Sequence, residues 1–250
     1  MSGHPVLMPR VMKVWLDELL KAFDESKHPR HPAGSPKGGQ FRPKGEARIE
    51  AASRFFDFGW RGNPGTLAVE RIVNPLTQEE IPTAARADVW SHVIEHVGDA
   101  PHTHVLFHEL AHLSTPGRTL LEVPFYGFNK TKMVESLVEI VARRALRAAG
   151  HEPDEYPTYD REIAAVCLGA LSAADGDEGK ARQRLDEVLA AASTGSADAV
   201  DRQLRTAFGS GDRFFDMARW EREFPNLVSG GWLSPEGKAL VHRMSWGEPQ

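Results

Sequence analysis

The chain has 250 residues, 41% hydrophobic and 26% charged, which is enough apolar mass to bury a core and excludes full-length disorder. Thirty Lys and Arg against 35 Asp and Glu give a formal net charge of -5, so nothing in the overall charge attracts a nucleic-acid backbone. The one cysteine, Cys167, excludes an internal disulfide, and no apolar run reaches the roughly 20 residues that cross a bilayer.

In chain order, residues 10–24 place Val11, Val14, Trp15, Leu19, Leu20 and Phe23 at helical spacing and predict a short amphipathic helix within residues 1–25. The start lacks a basic head followed by an unbroken apolar segment, so no export signal is expected. Residues 26–48, SKHPRHPAGSPKGGQFRPKGEAR, hold four prolines, four glycines and six Lys or Arg, with almost nothing apolar to bury. A basic, flexible linker is expected there: a solvated tether first, with nucleic-acid contact the weaker alternative because aromatic residues are nearly absent.

A domain over residues 49–150 follows. TLAVERIV, residues 66–73, alternates and stops before Asn74 and Pro75, as a strand does. AARADVWSHVIEHV, residues 84–97, puts Val89, Trp90, Val93, Ile94 and Val97 on one helical face and predicts a helix ended by Gly98.

The chemistry concentrates in HVLFHELAHLSTPG, residues 104–117. On a helix, residues four apart share a face, so His108 and His112 can offer two imidazoles to one ion. Glu109, directly after His108, can stand beside that ion and take a proton from a water the metal has acidified. His104 lies on the same general face, but eight residues rotate it about 80° from His112, which makes a third imidazole on the same ion difficult. His104 and His102 are therefore expected behind the ligands or at the surface.

A catalytic zinc takes a third protein ligand and keeps a position open. NKTKMVESLVEIVARRALRAAG, residues 129–150, reads as a helix with Met133, Leu137, Ile140, Val141 and Leu146 facing inward and Glu135 and Glu139 on one stripe. Glu135 is the expected third ligand, and Glu139, one turn on, is placed to hold a histidine N–H from behind or to pair with Lys132, Arg143 or Arg144 at the surface. STPGRTLLEVPFYGFNK, residues 114–130, is expected to be a loop beside the cleft, in which Tyr126 either packs or donates to an oxyanion.

Residues 151–250 carry apolar residues at spacings of three and four in DREIAAVCLGALSAA, GKARQRLDEVLAAAS, ADAVDRQLRTAFG and DRFFDMARWEREF, and predict a helical region packed on or beside the preceding domain. SGGWLSPEGKALVHRMSW is expected to add a last helix anchored by Trp232 and Trp246. Cys167, set in IAAVCLGAL, is expected to be a buried thiol in a reducing compartment.

The layout of FHELAHL on one helix and ESLVEIVA on the next resembles the gluzincin-type zincins, and within them the compact bacterial and phage domains of the ImmA/IrrE and antirestriction groups. Over residues 65–150 the resemblance implies an α+β, mainly helical zincin-like core with a small sheet. It implies zinc on His108, His112 and a downstream glutamate, with Glu109 as general base. Separately, HPRHPAGSPKGGQF resembles a short motif in phage head-morphogenesis proteins, implying a phage or mobile-element context with an assembly partner and a cytoplasmic or virion-associated location. Two functions stay open: a zinc metallopeptidase acting on a protein or peptide, and a regulatory or binding module whose metal is not catalytic.

Overall fold

The computed structural model of the chain describes residues 44–73, 80, 85–97, 102–151, 160–208 and 214–247. The expected helix over residues 10–24 lies outside them, as does most of the basic stretch. The last residues of that stretch open helix α1 (Lys44–Ser53), so residues 44–48 are helical and not linker.

Three strands form a small sheet in the order β1-β3-β2, with β1 (Gly65–Val69) parallel to β3 (Val93–Val97) and β2 (Ala85–Asp88) antiparallel to it. The helix predicted over residues 84–97 is therefore a hairpin. Val93, Ile94 and Val97 are β-branched, which suits a pleated surface, and the burial in β3 alternates with Ile94 and His96 inward. The turn is built locally: the Asp88 carboxylate accepts from Trp90 N at 3.0 Å and Ser91 N at 3.3 Å, and His92 adopts φ 58°. Trp90, assigned by the helical reading to a packed face, is 93% exposed at the tip. The strand expected over residues 66–73 is shorter, ending at Val69, while Val73 makes an isolated bridge with Glu80.

Helix α2 (Thr103–Leu113) buries Leu106, Phe107, Leu110, Ala111 and Leu113. It stops at Ser114, which is extended and whose side-chain Oγ caps the next helix, α3 (Thr115–Glu122), by accepting from Gly117 N at 3.4 Å. Half of the segment expected to be loop is thus helical: Pro116 lies in the first turn, where its missing N–H costs nothing. The junction is tight, since a Cβ on Gly117 would stand 2.0 Å from Ala111 O and 2.8 Å from His112 Cα.

Helix α4 (Lys130–Ala148), capped by Asn129 accepting from Lys132 N at 3.0 Å, turns Met133, Val134, Leu137, Val138 and Ile140 into the core against α2. Helix α5 (Asp160–Ala173) is buried along its length from Ile163 to Leu171, and Cys167 sits inside it. Around it pack α6 (Glu178–Ser193), α7 (Ala197–Phe208) and the short α8 (Met217–Glu223). A two-stranded hairpin, β4 (Val228–Ser229) and β5 (Trp232–Leu233), leads into α9 (Pro235–Trp246).

Of the two expected anchors, Trp246 is buried, but Trp232 is 67% exposed on the hairpin with the Arg161 guanidinium 5.2 Å over its ring. Helix α9 is held at its C-terminal end by arginines of α4: Arg144 Nη2 donates to Met244 O at 3.2 Å, and Arg147 Nη1 donates to Gly247 O. Cations on the last carbonyls of a helix satisfy acceptors the helix itself cannot. One continuous apolar cluster runs from Ile49 in α1 through Ile94 and Leu110 to Trp246, so the fold is α+β and mainly helical around a shared core. Among the described residues no helix is long and apolar enough to cross a membrane.

Candidate metal centre

The centre lies where α2 crosses α4. The apolar residues of both helices fix the faces: with Leu106, Leu110 and Leu113 buried on one side and Met133, Leu137 and Ile140 on the other, the fourfold-spaced polar residues of each helix meet along a seam. His112 Nε2 and His108 Nε2 stand 3.2 Å apart, and Glu135 Oε2 lies 3.2 Å from His108 Nε2 and 3.3 Å from His112 Nε2. For a tetrahedral ion with bonds of about 2.0–2.1 Å, ligand atoms stand about 3.3–3.4 Å apart. The triangle therefore has the edge lengths that three of four tetrahedral ligands require, and two imidazoles with one carboxylate form a donor set suited to zinc.

Glu139 sits behind this triangle and is buried. Its Oε2 accepts from His108 Nδ1 at 2.8 Å, which leaves the Nε2 edge of the ring facing Glu135 and His112. Its Oε1 takes His104 Nε2 at 2.6 Å and Arg143 Nε at 2.8 Å. Burial opposes ionisation of Glu139, but the hydrogen bonds from His104 and His108 outweigh it and hold its pKa down at about 2. The Glu135 carboxyl is likewise held well below the ordinary range: burial again opposes, and hydrogen bonds from His108 and His112 prevail. His108 is the reciprocal case, where burial disfavours the cation but Glu135 and Glu139 raise its pKa to about 10.

Glu109 leans the other way from Glu135, toward the sheet, where its Oε2 accepts from Ala87 N of edge strand β2 at 2.6 Å. Burial pushes its carboxyl upward against the pull of His112 and His108. A carboxyl raised in this way holds a proton more readily than an ordinary glutamate does.

The structure thus brings His108, His112 and Glu135 together, sets Glu109 beside them and Glu139 behind. Tyr126 is not part of the cluster: it is 71% exposed, with the Arg205 guanidinium 5.9 Å over its ring. His102 caps α2, its Nδ1 accepting from His104 N at 3.4 Å. Two participants are absent from the sequence-based set. Arg143 was open only to surface pairing, and the Ala87 amide lies in a segment read as helix. For Arg143 the signal was available: 135, 139 and 143 repeat the fourfold spacing of 104, 108 and 112. Comparison with protein-family models, with curated proteins and with solved structures finds no match for the chain.

Proposed function

We propose that the protein is a zinc-dependent hydrolase acting on peptide bonds of a protein or peptide substrate. The observation that carries this reading is the His108, His112 and Glu135 triangle with tetrahedral edge lengths and a half-buried carboxylate, Glu109, adjacent in sequence to His108. Zinc in such a site supplies a Lewis acid that lowers the pKa of water to about 7 and polarises a carbonyl.

The chain's own part is proton management and orientation. Glu109 accepts a proton from the attacking water as the water oxygen bonds to the carbonyl carbon, and returns it to the amide nitrogen as the C–N bond breaks. The Ala87 N–H keeps the Glu109 carboxylate turned to one side of the cleft, ready for that exchange. Glu139 holds the Nδ1–H of His108, so that once the Nε2 proton is lost the imidazole would present its lone pair there to the ion. A site serving structure alone has no need of a carboxylate where Glu109 stands.

The test separates binding from chemistry. Purified protein is expected to carry one zinc, lost in His112→Ala. Glu109→Gln preserves shape but cannot accept the proton, so it should keep zinc while hydrolysis of casein or a peptide library falls at least about 100-fold. Full activity in Glu109→Gln with zinc bound would overturn the mechanism. Zinc binding with no hydrolysis by the wild type would favour a non-catalytic regulatory module.

A further inference from the structure

We infer that Arg143, anchored by the C-terminal helices, is a positioning residue for the metal centre, acting through Glu139 on His108. The inference rests on the metal-site reading above and adds the part of the chain outside the two site helices. Arg143 is buried, and each arm of its guanidinium is engaged: Nε donates to Glu139 Oε1 at 2.8 Å, Nη2 to Asp160 Oδ1 of α5 at 3.2 Å, and Nη1 reaches Ser245 Oγ of α9 at 3.4 Å. Its carbon centre lies 5.8 Å over the ring of Trp246, which also meets the His104 ring edge-on at 6.4 Å.

These contacts decide which way Glu139 faces. A carboxylate on a helix can rotate about its terminal bond, and with one oxygen unengaged it would present either atom to His108. Here Oε1 is held by two donors, Arg143 and His104, so only Oε2 is left for His108 Nδ1. A planar fork anchored at three points sets that orientation better than a surface cation does. Because Asp160, Ser245 and Trp246 belong to α5 and α9, the C-terminal half becomes part of what holds the metal and is more than a neighbouring bundle.

The inference is tested by zinc affinity, measured by chelator competition, and by the visible spectrum of the Co²⁺-substituted protein. Arg143→Met is expected to weaken zinc binding about 10- to 100-fold, the range for residues that orient a ligand, and to shift the Co²⁺ bands. The decisive comparison is a cycle with Glu139→Gln: in that background Arg143→Met should have little further effect on affinity. Losses that simply add, or wild-type affinity and spectrum in Arg143→Met, would overturn the positioning role while leaving the metal site standing. Should Arg143→Met not fold, Arg143→Lys replaces it in the same cycle, since an ammonium cannot hold Glu139, Asp160 and Ser245 together. A wild-type protein that takes up no zinc would overturn the metal-site reading itself.

Discussion

Glu135 and Glu139 lie one turn apart on the same helix yet meet the histidines differently: Glu135 Oε2 faces the Nε2 atoms of His108 and His112, whereas Glu139 meets His108 from its Nδ1 side and His104 at Nε2. Glu135→Ala is therefore expected to abolish most metal affinity, and Glu139→Ala to weaken it about 10- to 100-fold. The reverse order in equilibrium zinc titrations would exchange their roles. The proton on His108 adds a pH dependence. In the metal-free protein its pKa is raised to about 10, so the ring is protonated near neutrality and an ion must displace that proton. Since the bound form has lost a proton the free form holds, binding strengthens as pH rises. Apparent zinc affinity should climb by up to about tenfold per unit between pH 6 and 9, with proton release visible by calorimetry in two buffers. A flat profile would mean His108 is already neutral.

At the scale of elements, the α2–α3 junction places a demand on one residue. A methyl at Gly117 would meet backbone atoms of Ala111 and His112, which cannot give way as a side chain can. Gly117→Ala should cost about 1–3 kcal/mol in thermal melts and also weaken zinc binding, because the displaced backbone belongs to His112, a proposed ligand. Unchanged melting would show that α3 can shift freely. Ser114 and Pro116 already announced α3 in the sequence as a cap and a first-turn proline; the loop reading of residues 114–130 passed over that signal. The hairpin of residues 85–97 was hidden for another reason. Val89, Trp90, Val93, Ile94 and Val97 fit a helical face, but β-sheet pairing with β1 and the Asp88 turn outweigh that periodicity. The meeting of His108, His112 and Glu135 was legible because residues four apart on a helix keep one face when it folds. The Ala87 contact to Glu109 was not, since it depends on where an edge strand passes.

For the whole molecule, the apolar cluster is continuous from α1 to α9, and arginines of α4 fasten α9 at its end. Residues 49–150 and 160–247 should consequently unfold together. Near-ultraviolet and far-ultraviolet dichroism are expected to give coincident melting curves, and a scanning calorimeter one peak. Two resolved transitions would show that the C-terminal helices form a separate cooperative unit. Burial pushes the Cys167 thiol up to about 12, so its slow alkylation should follow the same single transition.

The ladder of His104, His108 and His112 against Glu135, Glu139 and Arg143 also works as a key for assembly. Aliphatic ridges on two helices can slide past one another by a turn at modest cost, but this seam has one satisfied alignment. Shift α4 by one turn and Arg143 faces His108 while Glu139 meets His112, leaving buried donors opposed to donors. The alignment that excludes such a slip is the one that gathers His108, His112 and Glu135. A descendant chain that lost Glu109, and with it the proposed chemistry, would still be under pressure to keep the seam, because its helices would need it to find their places.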